Sequence, residues 1–203
     1  MQIGGSVSKS KGTVIGLTGR YCSGKGTAAR AFASAGYAVV DADELSHQVM
    51  AEKTEEVIAA FGPSIHGSDG VDRRALGRIV FRDAAARSRL EGILYPAITR
   101  KIMEFIQATR GNVVINAPLL QRAGLERICA AVVFIRAPAV VRMVRAMRRD
   151  SLSLREAWLR VNAQKDVLPQ SIGPGVDTYS VLNWGSVRSL ERRAERIARL
   201  LKV

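Results

Sequence analysis

A glycine-bounded loop near the start of the chain has the residue types and spacing of a phosphate-binding loop. Gly19, Gly24 and Lys25 give the pattern G-x-x-x-x-G-K. Four residues between the glycines let the backbone wrap around an anion with its N–H groups pointing inward. Lys25 adds a full positive charge for the terminal phosphates of a nucleotide. The pattern therefore predicts phosphate binding by nine consecutive residues: Gly19, Arg20, Tyr21, Cys22, Ser23, Gly24, Lys25, Gly26 and Thr27.

The position after the lysine lacks the hydroxyl group that usually follows it in such loops. Position 26 is glycine and Thr27 comes next. Because Mg²⁺ prefers oxygen ligands, Thr27 is the residue that we predict to take part in metal binding, with water as the alternative ligand. An ordinary glycine turn with no ligand is the alternative for the whole loop. The β-branched, apolar run before it and the helical run after it favour the phosphate site.

Two aspartates follow the second predicted strand. Tyr37–Asp41 has the composition of a buried strand, and Asp43 comes two residues after its end. Catalytic groups on parallel sheets gather at the carboxyl ends of the strands, so we predict that Asp43 lies near the phosphate loop. There it would accept a hydroxyl proton or hold Mg²⁺ through water. Capping of the next helix is the alternative for Asp43, and for Asp41 catalysis and capping are equally compatible with the sequence.

A row of arginines occurs in a predicted helix over residues 138–149. Arg142, Arg145 and Arg149 fall on one face of this helix. Guanidinium groups are planar and permanently charged, so such a row suits phosphate oxygens. A solvated basic face is the alternative. A second helix is predicted to run to about Val167, and the pair is predicted to form a mobile lid at about residues 145–165.

The elements that must position these groups alternate between strands and helices. This alternation predicts an α/β fold in which a five-stranded parallel sheet is flanked by helices. Pro96 is expected to kink or split the long helical run over 83–110. The predicted strands lie near residues 13–18, 37–41, 112–116, 130–135 and 178–183, and helical runs cover about 24–35, 45–61, 83–110 and 138–149 and the segment after Gly185. The apolar positions expected to point inward from the arginine-bearing helix are Val140 or Val141, Val144 and Met147.

The stretch between the second and third strands is too long for a simple crossover. We therefore predict that residues 49–110 form a helical substrate-binding insertion. Residues 13–48 and 111–203 would form the nucleotide-binding core. Residues 1–12 are rich in Gly, Ser and Lys and lack the apolar centre of a signal peptide, so they are expected to be a loose lead-in.

The charge balance and the cysteines limit the class of protein. The 31 basic and 18 acidic residues give a net charge of +13, which favours polyanionic ligands. No run reaches the length of a membrane-spanning helix, so no membrane association is expected. The two cysteines, Cys22 and Cys129, offer no disulfide framework, which favours a reducing cytoplasm. Cys22 is either an acidified thiol near Lys25 or a space-filling loop residue.

In their order along the chain, these motifs resemble the dephospho-CoA kinase family of P-loop kinases. The resemblance covers nearly all of residues 14–190. Asp-Ala-Asp at 41–43 together with Pro-Leu-Leu at 118–120 is its most specific combination. Further matching pieces are Ser23-Gly24-Lys25, Asp72-Arg73-Arg74-Ala75-Leu76-Gly77, Gly124-Leu125, residues 145–150, Gln164 and Asn183.

The resemblance implies an activity and a role for individual residues. The family transfers the ATP γ-phosphate to the 3′-hydroxyl of dephospho-coenzyme A, the last step of coenzyme A biosynthesis, with Mg²⁺. Lys25 and the loop would hold the ATP phosphates, and Asp43 would be the general base. Arg149 and Arg145 would cover the transferring group from the lid. The second substrate would contact Asp43, Asp72, Arg73 and Leu119. Such chemistry depends on alignment and charge neutralisation.

The sequence also departs from the family pattern. Arg20, Tyr21, Cys22 and Gly26 replace four usual loop residues, and Asn116, Tyr95 and Gln121-Arg122 replace others. These changes are compatible with a divergent subgroup, a changed acceptor or weakened activity, and we interpret the chain as a divergent active kinase. One alternative, favoured by the G-K-G-T ending of the loop, is a kinase for another small metabolite or a nucleoside monophosphate. The other is a nucleic-acid-binding protein, which the lack of aromatic-rich basic segments disfavours.

Overall fold

Strands and helices alternate along the chain in the computed structural model, which describes residues 12–118, 120–164, 167–173 and 175–202. The residues divide into two compact units. The described part of Met1–Val40 together with Ile106–Val203 forms the first unit, and Asp41–Phe105 forms the second. That the segment over residues 49–110 binds the second substrate stays a prediction.

The first unit is built on a five-stranded sheet. Its strands are β1 (Val14–Gly19), β2 (Ala38–Asp41), β5 (Val113–Asn116), β6 (Ala131–Arg136) and β7 (Asp177–Leu182). They lie in the order β2-β5-β1-β6-β7, and β1 pairs in parallel with both β5 and β6, as β6 does with β7. The helices of this unit are α1 (Lys25–Ser34), α6 (Ala139–Asp150), α7 (Leu154–Asn162) and α8 (Val187–Leu200). The predicted α/β fold with a five-stranded sheet is confirmed.

The core of this unit lies where α1 and α8 cover the sheet. Ile15 and Leu17 of β1 are fully buried, as is Phe32 of α1. On α8, the buried residues Leu190, Ala194 and Ala198 recur every four residues, which gives this helix one apolar face. β1 lies in the middle of the sheet, so the loop that follows it starts from a strand held on both sides.

The second unit is mainly helical. It contains α2 (Ala42–Glu52), α3 (Thr54–Phe61), α4 (Arg73–Arg82), most of α5 (Ala84–Ala108), and a short hairpin of β3 (His66–Gly67) and β4 (Gly70–Val71). The helical run predicted over 45–61 consists of two helices, α2 and α3, which separate at Lys53. The expected split at Pro96 does not occur, since α5 continues through it.

The prediction that Val144 and Met147 point inward from α6 is also wrong, whereas of the two alternatives Val140 and Val141 it is Val141 that is half-buried. Val140 is 71% exposed, and Val144 and Met147 are exposed as well. The buried residues of α6 are Arg142 and Ala146. Arg142 can lie inside because its guanidinium donates to the carbonyl oxygens of Ala137 and Val161. These bonds satisfy its polar atoms and link α6 to α7.

Among the helices in the described part of the chain, none combines the length and the apolar character needed to cross a membrane.

Candidate active site

The phosphate loop lies between β1 and α1, and its two glycines are required by close contacts. Gly19 has φ +147° and Gly24 has φ +105°, both in the region that favours glycine. A Cβ atom on Gly19 would collide with the carbonyl oxygen of Ile135. A Cβ atom on Gly24 would collide with Nδ2 of Asn183. The loop therefore packs directly against the end of β6 and the residue after β7, and no side chain fits at either glycine.

Lys25 is the first residue of α1, and its side chain folds back across the loop. Its Nζ donates to the carbonyl oxygen of Gly19 at 2.8 Å. The N-cap position of α1 is Gly24, which has no side chain to cap the helix. The positive end of the helix dipole and the backbone amides of its first turn thus face the loop, which is the arrangement that binds phosphate groups.

Arg145 and Asn183 support the loop from outside. Asn183 donates from Nδ2 to the carbonyl oxygen of Ser23 at 2.7 Å. Arg145 donates to the same oxygen at 3.3 Å and to the Asn183 Oδ1 at 3.2 Å. The three groups form a closed network that fixes the Ser23 peptide. A direct contact between Arg145 and the transferring phosphoryl group stays a prediction. This contact of Asn183 with the loop was not predicted, although Asn183 is among the residues that match the family pattern.

A cluster of four side chains joins the loop to the end of α6 and to α7; we call it the Tyr21 cluster, and it consists of Tyr21, Arg149, Asp150 and Arg160. The hydroxyl of Tyr21 donates to Oδ2 of Asp150. Arg149 donates to both oxygens of Asp150, from Nε at 2.9 Å and from Nη2 at 3.0 Å. The hydrogen bonds from Arg149, and after them the one from Tyr21, lower the pKa of Asp150 to about 2.

The α6–α7 region contacts the loop through backbone groups as well. The backbone N–H of Tyr21 donates to Oε1 of Gln164 at 2.6 Å. Nε of Arg20 donates to the carbonyl oxygen of Val167 at 2.8 Å. At the start of α7, Ser153 and Glu156 form a capping box, which fixes the point where α7 begins. Through Gln164, the predicted lid at about residues 145–165 contacts Tyr21, one of the residues by which this loop departs from the family pattern.

A cavity of about 270 Å³ opens beside the loop. It is lined by Arg20, by the end of β6 and the residues after it, by Val167 to Gln170, and by Leu182. Its walls are largely apolar. This size and lining suit a flat heteroaromatic ring.

Asp41 and Asp43 belong to the second unit, at the start of α2. The Asp41 carboxylate accepts hydrogen bonds from the backbone N–H groups of Asp43 and Glu44, so Asp41 is the N-cap of α2. The capping interpretation of Asp41 thus has direct support. Asp43 lies in the first turn of α2 with an exposed side chain. Its role as general base stays a prediction.

The residues predicted for the second substrate also lie mainly in the second unit. Asp72 is the N-cap of α4, where it accepts from the N–H groups of Arg74 and Ala75, and these bonds lower its pKa. Arg73 is exposed in the first turn of the same helix. Leu119 lies outside the described residues. Substrate contacts by these residues stay predictions.

The predicted metal site rests on few groups. Thr27 lies in the first turn of α1, and its hydroxyl accepts from Arg30 at 3.3 Å. Oγ of Ser23 is buried and has no hydrogen-bond partner among the described residues. Among the described residues, no cluster of three or more His, Cys, Asp or Glu side chains is placed to hold a metal ion. Hydroxyl oxygens fit the preference of Mg²⁺, with nucleotide phosphates as its main ligands.

Cys22 has an ordinary, protonated thiol. Burial raises its pKa above the usual value, and this outweighs the lowering by Arg149. The structure therefore favours the space-filling interpretation over an acidified thiol. Cys22 and Cys129 are both free, as expected.

Comparisons with known proteins agree with the geometry. The sequence model of a family described as dephospho-CoA kinase matches residues 13–168. A dephospho-CoA kinase of Moorella thermoacetica is 42% identical over 160 residues, which cover 74% of this chain and 76% of the relative. One of Treponema denticola is 32% identical over 196 residues, which cover 91% of this chain and 88% of the relative.

A solved structure is similar over nearly the whole chain. The crystal structure of TT1252 from Thermus thermophilus superposes with a TM-score of 0.81 at 32% identity. The match covers 96% of this chain and 100% of the other. The arrangement of strands and helices described above is thus shared with an experimentally determined structure.

Proposed function

Because this chain belongs to the dephospho-CoA kinase family, we propose that its phosphate loop and lid carry out the γ-phosphoryl transfer from ATP to the 3′-hydroxyl of dephospho-coenzyme A. The chain is an ATP-dependent kinase. The observation that carries the assignment of residues is the geometry of the loop: Lys25 folds across it, and α1 begins without a side-chain cap. We propose that the chain works in the cytoplasm, in keeping with its two free cysteines.

ATP would bind along the carboxyl edge of the sheet. The amides of residues 19–27 and the ammonium group of Lys25 would hold the β- and γ-phosphates. The adenine would occupy the cavity beside Arg20, since that cavity adjoins the loop and has apolar walls. Mg²⁺, held by the phosphates and by Thr27 directly or through water, would neutralise part of the triphosphate charge.

The acceptor would bind through the second unit. Asp43 would accept the proton of the 3′-hydroxyl as that oxygen attacks the γ-phosphorus. Asp72, Arg73 and Leu119 would contact the rest of dephospho-coenzyme A. Arg149 would contact the transferring group, where its charge stabilises the negative oxygens as the bond to ADP breaks.

A coupled assay that follows ADP release tests this proposal. With ATP, Mg²⁺ and dephospho-coenzyme A, we expect turnover that requires all three. Adenosine 5′-monophosphate and other nucleoside monophosphates serve as alternative acceptors, and the reaction without acceptor gives the background ATPase rate. Turnover with one of these acceptors and none with dephospho-coenzyme A would contradict the acceptor assignment while leaving kinase chemistry in place.

A further inference from the structure

Both the backbone N–H and the side-chain hydroxyl of Tyr21 donate hydrogen bonds to the predicted lid. Its backbone N–H donates to Gln164, and its hydroxyl donates to Asp150. Asp150 and Gln164 lie 129 and 143 residues further along the chain. Among the nine residues of the phosphate loop, Tyr21 thus joins the loop to both the end of α6 and the end of α7.

Asp150 in turn holds Arg149 in one orientation. The two hydrogen bonds run from Nε and Nη2 to different oxygens, which is the bidentate geometry that fixes a guanidinium plane. The Arg149 side chain is 61% exposed, whereas that of Asp150 is 24% exposed. A mostly exposed arginine would otherwise sample many rotamers. Here its plane is set by a carboxylate that is itself held by the loop.

The ring of Tyr21 adds a second contact to Arg149. Cζ of Arg149 lies over this ring, 5.2 Å from its centroid, within the range of a cation–π interaction. Arg160 completes the cluster, since its Nη1 lies 3.5 Å from the Tyr21 hydroxyl and 3.8 Å from Oδ2 of Asp150. Tyr21 therefore acts on Arg149 in two ways, through the carboxylate and through the ring face.

We propose that Tyr21 is a positioning residue that orients Arg149 beside the phosphate loop before the nucleotide binds. This inference rests on the proposed function, because the orientation of Arg149 affects turnover only if Arg149 contacts the transferring group. An arginine already ordered in the free enzyme loses less conformational entropy in the transition state. A contact that strengthens in the transition state affects kcat more than KM.

Kinetic measurements on Tyr21→Phe and Tyr21→Ala test the role. Removal of the hydroxyl should lower kcat by about 3- to 10-fold and change KM for ATP by less than about twofold, since the ring stays under Arg149. Tyr21→Ala removes the ring as well and should lower kcat further. Tyr37→Phe is the matched control: it deletes a hydroxyl that donates to the carbonyl of Ala198, so it should leave kcat unchanged.

A double-mutant cycle with Arg149→Met shows whether Tyr21 acts through Arg149. In that background, Tyr21→Phe should have no further effect on kcat, because the side chain that it orients is absent. The same fold-loss in both backgrounds would overturn the proposal, as would an unchanged kcat in Tyr21→Phe. An inactive wild type with dephospho-coenzyme A would instead contradict the proposed function.

Thermal unfolding gives a readout that does not depend on activity. Tyr21→Phe and Asp150→Asn should each lower Tm, and the double variant should be no less stable than the more destabilised single variant. Additive losses would show that the two side chains do not act together, and the proposal would then fail even in an active enzyme.

Discussion

Asn183 and Ser23 are joined by a buried hydrogen bond of 2.7 Å, although 160 residues separate them in the sequence. Asn183 follows β7, the strand at one edge of the sheet, and Ser23 belongs to the phosphate loop. The bond therefore links the conformation of the loop to that edge strand. Substitution of Asn183 by alanine leaves the Ser23 carbonyl to Arg145 alone. We expect a loss of about 1–3 kcal/mol in the free energy of unfolding, with a raised KM for ATP.

Urea unfolding and steady-state kinetics measure these two effects. Asn112→Ala is the matched control, because Asn112 is also buried and accepts a hydrogen bond from a backbone amide, that of Thr13, at 2.8 Å. It should destabilise the protein by a similar amount and leave KM for ATP unchanged. Equal changes in KM for both variants would mean that Asn183 acts only through overall stability.

Lys25→Ala should weaken ATP binding. A hydrogen bond to a charged group contributes about 1.5–3 kcal/mol, so we expect about 10- to 150-fold weaker binding in calorimetry. Turnover should fall at least as much. Lys202→Ala is the control, since Lys202 also donates to a backbone carbonyl, that of Ala35, but on the exposed surface. An unchanged affinity in Lys25→Ala would exclude the loop as the triphosphate site.

Asp43→Asn should separate ATP binding from chemistry. The amide keeps the size of the side chain but cannot accept the hydroxyl proton, so phosphoryl transfer should fall by roughly 10²-fold or more while ATP affinity stays unchanged. Single-turnover kinetics measure the transfer step. Asp41→Asn is the companion variant: asparagine also caps helices, so it should retain activity. If Asp41→Asn loses activity and Asp43→Asn does not, Asp41 and not Asp43 is the general base.

Gly26→Ser should increase turnover at low concentrations of Mg²⁺. A Cβ atom at Gly26 meets nothing within 4 Å, and its φ lies outside the left-handed region, so serine fits without strain. One added oxygen ligand should hold Mg²⁺ more tightly, so we expect an increase of about 2- to 10-fold in turnover at limiting Mg²⁺. Gly92→Ser, at an equally open position in α5, is the control. The same gain in both variants would point to helix stability alone.

The Tyr21 cluster should make stability depend on pH in acid. The folded-state pKa of Asp150 is held at about 2 by hydrogen bonds from Arg149 and Tyr21, with Arg160 nearby. Its unfolded value is about 3.9. Because the folded pKa is the lower one, this stabilisation is complete above about pH 5 and is lost as the pH falls through 4 towards 2.

Asp150→Asn provides the measurement, because asparagine does not titrate. The difference in Tm between wild type and variant should be constant from pH 7 to about pH 5 and shrink below pH 4. A difference that keeps its size down to pH 2.5 would show that Asp150 is not stabilised as a carboxylate.

The features that could be predicted from the sequence are those fixed by local spacing. The phosphate loop follows from two glycines and a lysine within seven residues, and the strands follow from short apolar runs. The five-stranded sheet could be predicted because βαβ alternation leaves few other arrangements.

The features that could not be predicted depend on partners distant in sequence. The burial of Arg142, in place of Val140 and Val144, depends on the Val161 carbonyl in another helix. An apolar periodicity carries no information about such an acceptor. The Tyr21–Asp150 bond likewise requires the loop and the end of α6 to meet, and only the folded chain shows this.

The raised pKa of Cys22 bears on how this enzyme responds to oxidative stress. Peroxides and electrophiles react with the thiolate, and at neutral pH this sulfur stays protonated. A residue of the phosphate loop thus carries sulfur without the thiolate on which such reactions depend.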